Sequence, residues 1–114
     1  MLIESDRAET GHGEFYLSGA QRLLNNLTAP GYRFQIKRAN HYSFSDAPLY
    51  LSPPGRFALA RVVGGERGPV ETQRAAVDLI AAFLRRSMMG GTDGPVEASR
   101  AYRQIEGGRT NPAL

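Results

Sequence analysis

The side chain in this sequence best suited to chemistry is that of His41, which lies in a loop directly after a predicted strand. In an open α/β sheet, ligands bind beyond the carboxyl ends of the strands, so a histidine there can reach a nucleophile on a neighbouring strand. Imidazole titrates near neutral pH, so it can take a proton from an attacking hydroxyl group and return it to the leaving group. The position of His41 therefore predicts a general base. A loop histidine without a reaction is the alternative.

The carboxylates Asp6 and Glu9 follow the short apolar run Leu2-Ile3. Aspartate is common in turns, so one interpretation of Asp6 is a solvated loop carboxylate that helps the chain to turn toward the next helix.

The residues that follow His41 have the character of a supporting loop. We expect Ser43 and Asp46 to hold this loop through hydrogen bonds from side chain to backbone. Phe44 is expected to fill the core beneath it.

The remaining reactive residues give no signal for a metal, a cofactor or a thiol. His12 lies between two glycines, far from His41 and without the spacing of metal ligands, so we interpret it as a loop histidine. The chain has no cysteine, which excludes disulfides and thiolate sites. Gly64-Gly65 and Gly90-Gly91 lack the lysine and the Ser/Thr of a phosphate-binding loop. We therefore predict neither metal nor cofactor.

The elements that position His41 form a predicted β-α-β unit. Leu2-Ile3 indicates a first strand, and residues 32–39 alternate between apolar and polar side chains, as a half-buried strand does. Between them, apolar residues recur at three- and four-residue intervals over residues 14–27, which predicts a helix. Two strands joined by such a crossover must run parallel. A parallel sheet needs further strands, so this unit is expected to be the edge of a larger sheet.

The second half of the chain predicts one secure helix and a polar end. Residues 56–63 indicate a short helix within an irregular stretch. Pro69 suits the first position of a long helix, with Glu71 in its first turn and Arg85-Arg86 at its end. Residues 89–114 are expected to form a polar, partly flexible tail.

The segment around the histidine resembles a known family. The run Ala39-Asn40-His41-Tyr42-Ser43-Phe44-Ser45-Asp46 is similar to the pattern Gly/Ala-x-His-x-x-Phe-x-Asp of α/β-hydrolases related to platelet-activating-factor acetylhydrolases and dienelactone hydrolases. The strands and helices of residues 1–88 resemble the end of that fold. The resemblance implies an α/β class, with the C-terminal β-α-β-α portion of an α/β-hydrolase, parallel strands, flanking helices and an incomplete sheet.

The same resemblance implies a serine hydrolase that acts on small-molecule esters through a serine, histidine and acid triad, with His41 as the base. No Gly-x-Ser-x-Gly nucleophile motif occurs in the sequence, and 114 residues are too few for the whole sheet, which needs about 200. We therefore expect a fragment that is inactive alone and depends on a missing N-terminal part. Many members place the acid after the penultimate strand, where Asp6 lies, so the resemblance makes Asp6 the candidate acid of this chain. Acetylhydrolase-like members place it one strand earlier.

Composition limits the other function classes. Thirteen of the fourteen basic residues are arginines spread along the chain, so the net charge of +3 predicts no nucleic-acid partner. No stretch has the length of a membrane span, and the expected location is the cytoplasm, unless a missing N-terminus carries a signal. The alternative function is a non-catalytic remnant or a small module that self-associates through an exposed sheet edge.

Overall fold

The computed structural model describes residues 1–7, 13–29, 31–44, 50–55, 58, 69–91 and 94–110. The described part has a mixed α/β fold, in which a small sheet is flanked by helices. Its elements in chain order are β1 (Leu2–Glu4), α1 (Glu14–Asn25), β2 (Tyr32–Ile36), a 3-10 helix (His41–Phe44), α2 (Pro69–Met89), α3 (Pro95–Ser99) and β3 (Ile105–Arg109).

The predicted β-α-β unit is confirmed. Strands β1 and β2 pair in parallel, with Ile3 opposite Phe34, and α1 connects them. The alternation of β2 is borne out as well, because Tyr32, Phe34 and Ile36 are buried whereas the residues between them are half-buried. The helix predicted to begin at Pro69 begins there, and it extends to Met89.

The third strand gives the sheet a mixed character, which the sequence did not predict. Strand β3 pairs antiparallel with β2, so the strand order is β1-β2-β3 and the sheet is not wholly parallel as expected. Within residues 89–114, predicted as a polar, partly flexible tail with weak helical character near residues 96–105, the structure has α3 and β3. The free edge of β2 explains the difference, since its backbone groups supply hydrogen bonds that a polar sequence can accept.

Most of the buried apolar residues lie between the sheet and α2. Tyr32 and Phe34 pack with Leu79, and Ile36 packs with Ala39 and Ala75. Ile3 contacts both groups, so it faces α2. Successive strand residues face opposite sides of a sheet, so Glu4 faces the side of α1, where it bonds to Tyr16.

Helix α1 covers its side of the sheet only sparsely. Ala20 and Leu24 are its buried residues. Phe15 is 94% exposed and Leu23 is 58% exposed, although both belong to the apolar pattern that predicted the helix. An amphipathic helix normally buries such residues against neighbouring elements. The described part of the chain therefore leaves apolar surface of α1 uncovered.

None of the helices within the described ranges is long and apolar enough to cross a bilayer.

Candidate functional site

The candidate site lies where two neighbouring parallel strands end. Asp6 follows β1 by two residues, and the 3-10 helix that starts at His41 follows β2. Because parallel strands present their carboxyl ends at one edge of a sheet, both segments lie at the same edge. Sequence reasoning placed His41 and Asp6 after these strands, and the structure brings the two strand ends together.

Hydrogen bonds join the two strand ends directly. The backbone N–H of Asp6 donates to the carbonyl oxygen of Ala39 over 2.7 Å, and the backbone N–H of Arg38 donates to Oδ2 of Asp6 over 2.8 Å. Arg38 has a φ of 61°, a left-handed conformation that is unusual for a residue with a side chain. The carboxylate of Asp6 therefore stabilises the turn that carries the chain from β2 toward His41.

Asp6 is not the solvated loop carboxylate that was the alternative for it. Its exposed fraction is 6%, and Glu4 and Ser5 before it are equally enclosed. A buried carboxylate needs hydrogen-bond donors, and the N–H of Arg38 supplies one. The structure gives Asp6 a role in holding the backbone beside His41.

The 3-10 helix is fixed by a reciprocal pair of hydrogen bonds at its start. The backbone N–H of Asn40 donates to Oγ of Ser43, and the backbone N–H of Ser43 donates to Oδ1 of Asn40, each over 3.1 Å. Ser43 is 2% exposed, so these bonds form in a protected environment. The prediction that Ser43 holds the loop from side chain to backbone is confirmed.

Phe44 differs from its prediction. It was expected to fill the core beneath the loop, yet it is 37% exposed, whereas Ser43 beside it is buried. In a single 3-10 turn, consecutive side chains point in different directions, so Ser43 and Phe44 cannot both face the core. The turn directs the serine inward because its hydroxyl group is needed for the bonds to Asn40.

Several predictions fall partly or wholly outside the described residues. These concern Glu9, His12, Asp46, Gly64-Gly65, the side chain of His41, and the short helix over residues 56–63, of which only residue 58 is described.

A buried charge cluster near the site was missed by the sequence reasoning. The side chain of Glu4 has no exposed surface, and it accepts two hydrogen bonds from Arg33, from Nε over 2.6 Å and from Nη2 over 3.0 Å. Nη2 of Arg7 lies 3.8 Å from Oε2 of Glu4, and Tyr16 donates a further hydrogen bond. The cluster ties together β1, β2 and α1. Two residues of opposite charge could have indicated it, because Arg33 lies on the polar side of β2 and Glu4 ends β1.

The pKa values in this cluster follow from its contacts. Burial raises the pKa of Glu4, but the hydrogen bonds and charge of Arg33, with Arg7 and Tyr16, outweigh burial and hold the pKa below its ordinary value of 4.5. Burial and the neighbouring Glu4 charge raise the pKa of Tyr16. Glu4 is therefore an anion at neutral pH, and its bonds stabilise the fold rather than offer a proton to a substrate.

The described arrangement places the segment that begins at His41 beside the buried carboxylate of Asp6. The backbone of His41 is described but its side chain is not, so its role as a general base stays a prediction. Within the described ranges, no group of three His, Cys, Asp or Glu residues could hold a metal ion.

Comparisons with known proteins do not extend this description. No protein-family model, curated protein or solved structure matches the chain significantly.

Proposed function

We propose that this chain is the histidine-bearing part of a serine hydrolase that cleaves small-molecule esters. The observation that carries the proposal is the pairing of β1 with β2, which sets Asp6 and the start of the 3-10 helix at one edge of a parallel pair. This edge is where open α/β sheets bind ligands. The hydrogen bond between Asp6 and Ala39 supports the same arrangement, since it holds the backbone two residues before His41.

In the proposed reaction, His41 acts as the general base. Its imidazole removes the proton of a serine hydroxyl as the serine oxygen attacks the ester carbonyl carbon, and a tetrahedral intermediate forms. The imidazolium then gives that proton to the departing alkoxide, which leaves as an alcohol. Water repeats the two steps on the acyl-enzyme and releases the acid. The serine belongs to a segment outside this chain, so the isolated chain is inactive.

The role of the acid is divided in this proposal. Asp6 is the candidate acid within the chain, but its Oδ2 already accepts the N–H of Arg38. Asp6 therefore acts on His41 at least through the backbone to which it is hydrogen-bonded. For this reason Asp6→Asn is expected to impair activity less than His41→Ala.

The test begins with the coding sequence upstream of the Met1 codon. The proposal expects a Gly-x-Ser-x-Gly segment there, and the protein joined to that segment should hydrolyse p-nitrophenyl acetate. His41→Ala should then lower kcat by about a thousandfold or more, because removal of the base alone disables a triad. His12→Ala is the matched control and should retain activity.

Two results would contradict the proposal. Full activity of His41→Ala in the joined protein would remove the base role of His41. Labelling of a serine of the isolated chain by a fluorophosphonate would show that the chain holds its own activated nucleophile.

A second candidate function, a self-associating module without a reaction, is favoured by the position of β1. In the described sheet β1 is an outer strand, so its far edge offers unpaired backbone groups to another chain. A stable, strictly monomeric protein would argue against this candidate.

A further inference from the structure

Helix α2 has an exposed apolar stripe on the side that does not pack against the sheet. We call it the outer stripe. Its side chains are between 40% and 80% exposed, and they are Val70, Val77, Ile80, Leu84 and Met88. Spacings of three, four and seven residues place them along one side of the helix.

The outer stripe lies opposite the side of α2 that packs on the sheet. Ala75, Leu79 and Ala82 are buried, and they are displaced from the stripe by about half a turn at 100° per residue. The helix is therefore apolar on two opposite sides. From Val77 to Met88 the stripe has an apolar side chain in each turn over about 17 Å at 1.5 Å per residue, and Val70 lies two turns before Val77.

The charges beside the stripe indicate what covers it. Asp78 and Arg85 are both exposed and seven residues apart, so they lie on the same flank of the stripe. In a parallel pair this flank of one copy faces the opposite flank of the other, where Ala76 and Ser87 carry no charge, so Asp78 and Arg85 gain no partner. In an antiparallel pair, Asp78 of each copy meets Arg85 of the other, and Val77 meets Leu84. The flank is thus complementary to itself in one orientation only.

We propose that the outer stripe is the contact surface of a symmetric dimer in which α2 packs antiparallel against α2 of a second copy of this chain. A twofold axis close to Ile80 relates the copies and gives two Asp78–Arg85 ion pairs. Asp78 also accepts a hydrogen bond from Tyr102, which leaves its other oxygen for the second copy. This inference does not depend on the proposed hydrolase reaction.

The size of the stripe sets the expected strength of the dimer. A contact between two single helices falls at or below the lower end of specific interfaces, about 1,200 Å² in total. We therefore expect a reversible dimer with a dissociation constant in the micromolar range.

The test is a charge exchange measured by sedimentation equilibrium over two decades of concentration. Asp78→Arg and Arg85→Asp should each raise the dissociation constant about tenfold or more, because each places like charges opposite one another. The equimolar mixture of the two variants should recover the affinity as a heterodimer, which native mass spectrometry identifies when one variant carries an isotope label. Tyr102→Phe is the control for the hydrogen bond lost in Asp78→Arg, and it should dimerise as the wild type does.

Three outcomes would overturn the inference. One is a wild-type chain that stays monomeric throughout the concentration range. Another is a dimer whose strength neither charge variant changes, which would place the contact elsewhere, for example at the edge of β1. The third is a mixture that remains monomeric while circular dichroism shows both variants to be folded.

Discussion

The carboxylate of Glu4 is ionised at neutral pH and fully buried beside the sheet. A buried carboxylate is destabilising unless its oxygens are bonded, and the two bonds from Arg33 with the contacts of Arg7 and Tyr16 meet that need. Removing one partner of such a pair lowers the free energy of unfolding by more than the intact pair contributes to it, because the other charge is left buried without its hydrogen bonds.

We predict that Glu4→Gln lowers the free energy of unfolding by about 1–3 kcal/mol, because Arg33 loses its charged partner and is itself only 19% exposed at the side chain. Urea denaturation at neutral pH measures the change. The matched control is Glu97→Gln, which removes an exposed pair with Arg100 and should change stability by less than about 0.5 kcal/mol. Equal effects of the two variants would contradict the assigned role of Glu4.

The same residue gives stability a defined pH dependence. The pKa of Glu4 in the folded chain lies below its ordinary value of 4.5, which applies when the chain is unfolded. Its stabilising effect is therefore complete above pH 4.5, and it is lost as the pH falls through the folded-state value. Glu4→Gln should lack this part of the acid dependence, so the stability curves of variant and wild type should converge below that pH.

At the scale of elements, β3 depends on a single glycine. Gly107 pairs with Phe34 and has a φ of 124°, and a Cβ there would collide with the backbone carbonyl oxygen of Arg33. Neither the conformation nor the space permits a side chain. Gly108, its neighbour in the same strand, has no atom within 4 Å of a Cβ.

We predict that Gly107→Ala destabilises the fold by about 1–3 kcal/mol, because the strand must move away from β2 or adopt a strained backbone. Gly108→Ala is the control and should be neutral within about 0.5 kcal/mol. Thermal unfolding followed by circular dichroism compares them. Similar melting temperatures for the two variants would show that β3 contributes little to stability.

Strand β3 also marks the limit of sequence reasoning here. Strand β2 was predicted from its alternation, and α2 from Pro69 and its apolar spacing, because those signals are local. The sequence Ile-Glu-Gly-Gly-Arg has one large apolar residue and two glycines, so no periodicity indicates a strand. Its structure comes from pairing with β2, which only the tertiary fold supplies.

In the candidate site, too, some features could be predicted from local sequence and others could not. The position of His41 after β2 follows from local pattern, as does the bond between Ser43 and Asn40. The burial of Asp6 and its bond to Arg38 could not be predicted, because they depend on the register of β1 against β2 across 32 residues.

For the whole molecule, the buried apolar residues are concentrated on one side of the sheet. We predict that Leu79→Ala, which opens a cavity between α2 and the sheet, lowers the free energy of unfolding by about 2–4 kcal/mol. Leu23→Ala on α1 removes a side chain that is 58% exposed, so it should change the free energy of unfolding by less than about 1 kcal/mol. A larger loss for Leu23→Ala in urea denaturation would mean that α1 has a partner which buries it.

The hydrogen bonds between Asp6 and residues 38 and 39 couple the outer strand mechanically to the histidine segment. The backbone that enters the 3-10 helix cannot shift without moving the end of β1, because one carboxylate and one amide join them. If the second candidate function holds, a strand added at the far edge of β1 would therefore act, through Asp6, on the backbone that leads to His41.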